Sequence, residues 1–128
     1  MKQFWMGLVA GIALTATITV GARDEPEVVA FINGNKLYSD MSSDEVSLRM
    51  ASMGYVAGAT DMFRVFEAIG ADMGRTEAIA CIPREVSISQ TRDVVKVFLE
   101  NNPQERHNSA ASIIGAALEK AFPCSPEQ

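Results

Sequence analysis

The sequence predicts an all-α fold: a compact bundle of four to five helices, closed by one disulfide after a cleaved N-terminal signal peptide. Three observations carry that expectation. No stretch of the 128 residues alternates polar and apolar side chains with a sustained period of two, the pattern of a half-buried strand. Several segments instead space apolar residues three and four apart, behind side chains suited to capping a helix. The chain also holds two cysteines, each within two residues of a proline.

The N-terminus is read first, because the compartment decides what the cysteines can do. Lys2 supplies a positive start, Met6 to Val20 carry no charge, and Val20-Gly21-Ala22 places small or compact residues where a signal peptidase reads. Arg23, Asp24, Glu25 and Glu27 follow at once. That order is the order of a secretory signal, so residues 1–22 are expected to be removed and 23–128 to form one helical domain. The competing reading is a membrane anchor. An apolar run of about 15 residues falls short of the roughly 20 that span a bilayer as a helix, and no cluster of Lys or Arg follows it.

Loss of Lys2 with the signal takes the formal charge from −5 to −6. An acidic chain lacks the basic surface that displaces counterions from nucleic acid, and it is not drawn to an anionic membrane face. Export makes the cysteines legible, since disulfides persist in oxidising compartments. Two cysteines allow one pairing, Cys81 with Cys124. In the chain-entropy picture a loop of about 44 residues contributes roughly 4 kcal/mol.

A first helix is expected over 28–41, with Val28, Phe31 or Ile32, Leu37 and Met41 inward and Gly34 in its middle. A second starts at a capping box, Ser42 with Glu45 three residues on, and runs to about Ile69. Leu48, Met62, Phe66 and Ile69 form one apolar stripe; Val46, Met50, Met53 and Ala57 form another. A helix apolar on more than one face is expected at the centre of its domain. Glu45 and Arg49 stand at a favourable i, i+4 spacing, and Gly54 and Gly58 mark a helix-crossing point. Gly70 and Gly74 end the pattern, leaving 70–80 irregular.

Pro83 keeps the chain extended at Ile82, and Ser87 with Gln90 forms a second capping box. The third helix is expected from about Ile88 to Glu100, with Val94, Val95, Phe98 and Leu99 inward. Asn102, Pro103 and Glu105 read as cap, first turn and third position of a fourth helix. Its inner face is Ala110, Ile113, Ile114, Ala117, Leu118 and Ala121, and Phe122-Pro123-Cys124 ends it.

The residues offer little chemistry. His107 is the only histidine, and two cysteines with one histidine make a poor zinc set. A Cys/His nucleophile pair competes with a structural disulfide, which an exported protein with one cysteine pair favours. No G-x-S-x-G elbow or glycine-rich phosphate loop is present. Asp61 stands in an apolar helix, where either an i, i+3 pair with Arg64 or a buried polar contact accounts for it. The expectation is a binding or structural protein with no catalytic residue, metal or cofactor.

Taken together the residues resemble a family. GYVAGATD is followed by CIPREVSISQTRDVVKVFLENNPQERHNSAASIIGAALEKAFPC. That order is similar to the Rap/Tai-type immunity proteins of type VI secretion. Matching positions are Gly54, Tyr55, Gly58 and Asp61; Cys81, Pro83, Val86, Ser87 and Gln90; and Val94, Val95, Phe98, Leu99 and Pro103. Arg106, His107, Ala110, Ala121, Phe122, Pro123 and Cys124 continue the pattern, and Asn33-Gly34-Asn35-x-Leu37-Tyr38 resembles its first-helix motif. The resemblance spans residues 31–124 and implies an exported periplasmic protein, often homodimeric. Such a protein binds a cognate peptidoglycan-cleaving amidase effector and blocks its catalytic groove.

The matched positions read as framework, so recognition is expected where the pattern is silent. Irregular surface segments commonly carry it, which singles out Asp72, Arg75, Thr76 and Glu77. Two other readings stay open. One is a small periplasmic helical stress protein or chaperone with no dedicated effector, exposing apolar surface when its carboxylates protonate. The other is a lysozyme-inhibitor-like binder of a basic target, with strong salt dependence.

Overall fold

A side chain that caps a helix must reach the orphan N–H groups of its first turn, and three of the four α-helices described start where that need is met. The computed structural model describes residues 30–74 and 78–124. Four α-helices occupy them: α1 Gly34–Met41, α2 Val46–Asp72, α3 Ile88–Asn101 and α4 Ala110–Ala121. No strand forms among the described residues, and Asn33 and Ser109 make an isolated antiparallel bridge. The all-α expectation holds at four helices.

Helix α1 starts later than its apolar spacing predicts. Asn33 caps it, accepting from the Lys36 N–H at 3.0 Å, and Phe31 is fully exposed. Gly34 is thus the first helical residue, not the middle one. Its N–H donates to Asn108 O, and that of Asn35 to Arg106 O at 2.8 Å. This close approach requires glycine: a Cβ on Gly34 would strike Ile113 Cδ1 and lie 3.0 Å from the Arg106 backbone. Val28 lies outside the described residues.

The Ser42–Glu45 capping box does not form. Ser42 instead terminates α1, its N–H donating to Tyr38 O, and Ser43 Oγ accepts from the Glu45 N–H at 3.1 Å. Arg49 donates from Nη1 to Ser43 O at 2.7 Å, so it closes the α1–α2 turn and makes no ion pair with Glu45. The 27 residues of α2 extend about 40 Å. The helix passes through Gly70 and stops at Gly74, whose φ of +76° is the left-handed conformation that ends helices.

Helix α3 has the expected capping box: Ser87 Oγ accepts from the Gln90 N–H, and Gln90 Oε1 accepts from the Ser87 N–H. Thr91, Val95 and Leu99 are buried, with Val94 and Phe98 packed against them. Pro103–Glu105 forms only a single 3-10 turn, where a fourth helix was expected to start. Asn102 spends its side-chain N–H on Phe98 O at 2.8 Å, and Glu105 takes an N–H from Asn108. Ser109 then caps α4 through the Ser112 N–H. Ala110, Ile113, Ile114, Ala117 and Leu118 are buried as expected, while Ala121 is exposed.

The core gathers Leu37 and Met41 of α1, Val56 of α2, Val95 and Leu99 of α3 and the inner face of α4. Cys81 and Cys124 form the expected disulfide, with their Cα atoms 5.0 Å apart. The Cys81 N–H also donates to Phe122 O at 2.8 Å, so the end of α4 is bound twice to the segment before α3.

Candidate partner-binding surface

The clearest departure from the sequence pattern lies on α2. Its buried positions are Ser52, Val56 and Thr60, a stripe with a four-residue repeat. The two polar members are satisfied within the helix: Ser52 donates to Arg49 O and Thr60 to Val56 O. Phe63 extends this stripe and packs against Gly115 of α4, where an added Cβ would lie 3.3 Å from the ring. The larger apolar residues point elsewhere. Val46, Met50, Met62, Val65, Phe66 and Ile69 are all exposed, with Phe66 at 60 % and Met62 at 50 %.

Helix α2 is therefore not enclosed by the bundle; it contributes one face to it. Gly54 and Gly58 lie on the outer side, where an added Cβ would meet nothing within 4 Å among the described residues, so none of the described helices crosses there. Met50, Gly54, Gly58, Met62 and Phe66 follow one another at four-residue spacing. They form one outer row with a notch where the glycines lie. Toward its end Met62, Val65, Phe66, Ile69 and Met73 form a continuous apolar stripe, and Met73 is 72 % exposed. Contiguous exposed apolar surface of this kind marks interaction sites.

Asp72 lies exposed in the last turn of α2, beside this stripe. Arg75, Thr76 and Glu77 lie outside the described residues. Glu67 holds the returning chain against α2, its Oε1 accepting from the N–H groups of Ile79 at 3.1 Å and Ala80 at 3.5 Å. Asp61 and Arg64 are both exposed and make no ion pair among the described residues. Neither explanation offered for Asp61 holds; it sits on a solvated helix face.

The residues with reactive side chains have structural roles. Both cysteine sulfurs are in the disulfide. His107 Nδ1 lies 2.7 Å from Gln104 O, at the end of the 3-10 turn. Among the described residues no three His, Cys, Asp or Glu side chains come together as a metal site, and no helix is long and apolar enough to cross a membrane. The sequence pattern contained the surface residues Met62, Phe66 and Ile69 but assigned them to the core. Their excess was the available signal, because one helix had more apolar faces than three short partners can cover.

No curated protein matches the chain. The family model of Rap1a immunity proteins matches residues 33–124, from the Asn33 cap of α1 to the Cys124 end of the disulfide. The match takes in all four helices and both disulfide partners, and the chain belongs to the Rap1a immunity protein family.

Proposed function

We infer that this protein is exported to the periplasm by cleavage after Ala22, and there acts as a stoichiometric inhibitor rather than an enzyme. Its target in this reading is a peptidoglycan-cleaving amidase effector of type VI secretion, whose catalytic groove it blocks. Family membership supports the immunity role. The exposed stripe Met62, Phe66, Ile69 and Met73 beside Asp72 carries the assignment of the surface. An apolar centre with charges at its edge has the composition of an interface core and rim, and Arg75, Thr76 and Glu77 follow it directly in the chain. The same reading includes a homodimer, for which the outer row of α2 with its notch at Gly54 and Gly58 is the suited surface.

The test is a pull-down of the mature protein against periplasmic and secreted fractions, repeated with Phe66→Ser and with Asp72, Arg75 and Glu77 reversed in charge. One stoichiometric amidase is expected, with affinity lowered at least about tenfold by Phe66→Ser, the range of an interface hot spot. Capture of many unfolded clients in place of one enzyme would overturn the reading in favour of a chaperone. Unchanged inhibition by all of these variants would remove the end of α2 as the contact.

A further inference from the structure

Thioether sulfur is concentrated on the outer side of α2. Seven methionines occur in the chain, and all but Met1 and Met6 lie among the described residues. Their environments differ. Met41 is buried in the core at 3 % exposure, and Met53 is half-buried. Met50, Met62 and Met73 are 60 %, 50 % and 72 % exposed. All three stand on the apolar surface described above: Met50 and Met62 bound the glycine notch of the outer row, and Met73 follows Ile69 at the end of the stripe. They are spread over about 35 Å of helix length.

Leucine at these positions would offer a partner similar apolar area. Methionine adds an adaptable, polarizable side chain whose sulfur can be oxidised to a polar, chiral sulfoxide. Both cysteine sulfurs are closed in the disulfide, and no described cysteine is free. A two-electron oxidant arriving from water therefore meets no thiol, and the thioethers are the sulfurs left to react. It must reach the sulfur to do so, which directs it to Met50, Met62 and Met73 and spares Met41.

We propose that Met50, Met62 and Met73 form a reversible oxidation site that controls the partner surface of α2, an inference that rests on the reading of that surface given above. With hypochlorous acid as the oxidant, a sulfur lone pair takes the oxygen. The sulfur–oxygen bond forms as the oxygen–chlorine bond breaks, chloride leaves, and the hydroxyl proton goes to water. Sulfur is oxidised by two electrons and chlorine is reduced by two. Each sulfoxide sets a strong hydrogen-bond acceptor on a surface whose contact with a partner is apolar, so the reduced protein binds and the oxidised protein is weakened. Methionine sulfoxide reductases, one for each epimer, return the thioether.

The test titrates the mature protein with hypochlorous acid and follows each methionine by peptide mass spectrometry. Met50, Met62 and Met73 are expected to gain one oxygen each while Met41 stays a thioether and the helical circular dichroism is kept. Two probes then read the surface: retention on phenyl-agarose, which needs no effector, and affinity for the amidase isolated by the pull-down. Retention should fall, and the amidase should bind at least about tenfold more weakly, the range of an interface hot spot. Both sulfoxide reductases together should restore each readout. The variant Met50→Leu/Met62→Leu/Met73→Leu, compared with itself before and after oxidant, should not change. Conversion of Met41 as fast as the other three, unchanged phenyl retention, or an equal loss in the leucine variant would overturn the proposal. So would undiminished amidase binding by the oxidised protein where Phe66→Ser weakens it, which leaves the surface assignment standing. If neither oxidation nor Phe66→Ser moves the amidase, the surface assignment fails, and control through it fails as well.

Discussion

The Arg106 guanidinium carbon lies 3.8 Å from the centroid of the Tyr38 ring, which joins the α3–α4 connection to α1. The same side chain donates from Nε to Leu99 O at 2.7 Å, satisfying a carbonyl near the end of α3, while its backbone oxygen accepts from Asn35. One residue thus ties three segments together. Arg106→Lys keeps the charge but loses the planar face and the directed Nε–H. It is expected to cost about 1–3 kcal/mol, the combined scale of a cation–π contact and a lost hydrogen bond. A double-mutant cycle with Tyr38→Leu should give a coupling of about 0.5–1 kcal/mol. Urea denaturation at unchanged m-value measures both, and zero coupling would mean the ring contact contributes nothing.

Gly34→Ala tests the same joint from its other side. The new methyl would collide with Ile113 Cδ1 and press on the Arg106 backbone at 3.0 Å. Neither can move freely, since Ile113 is buried in the core and the Arg106 carbonyl is engaged by Asn35. Helix propensity alone would reward alanine; overpacking should win and destabilise by about 1–3 kcal/mol. A rise in the thermal midpoint would show that the joint is looser than this geometry.

The disulfide prediction has two readouts. In the intact protein neither Cys81 nor Cys124 should react with a thiol reagent until a reductant is added, because both sulfurs are paired. Replacing both by serine is expected to cost up to about 4 kcal/mol through the freed loop of the unfolded chain. The hydrogen bond from the Cys81 N–H to Phe122 O still marks where the segments meet, so helical content should persist at low temperature. Modification without reductant would exclude the closed form.

How much of this was legible in the sequence depended on whether a signal was local. The α3 capping box at Ser87 and Gln90 needs only residues three apart, and it is present. The disulfide followed from counting. The box at Ser42 and Glu45 has the same spacing but fails, because Ser42 is already committed to closing α1. Pro103 fails as a helix start for a similar reason: the carbonyls of Arg106 and Asn108 are taken by the N–H groups of Asn35 and Gly34, so the turn there cannot continue as a helix, and α4 must wait for Ser109. The partner surface was least legible. Apolar periodicity says which residues share a face of α2, but only tertiary packing decides that Val56 is covered and Phe66 is not.

Gly54 and Gly58 separate stability from association. Each should cost the isolated helix about 0.8–1.0 kcal/mol relative to alanine, and neither is required by packing among the described residues, since a Cβ meets nothing of them within 4 Å at either position. The double variant Gly54→Ala/Gly58→Ala should therefore gain about 1.5–2 kcal/mol in the monomer by relief of that cost. If a second copy crosses α2 at the notch, the two methyls hold the helices apart and the dimer weakens. The expected signature is opposed: a higher denaturation midpoint at low protein concentration, with a larger dissociation constant by sedimentation. A stabilised variant that self-associates as well as the parent would show that the copies do not meet at the notch, and a destabilised one would mean that the outer row of α2 is covered within the chain.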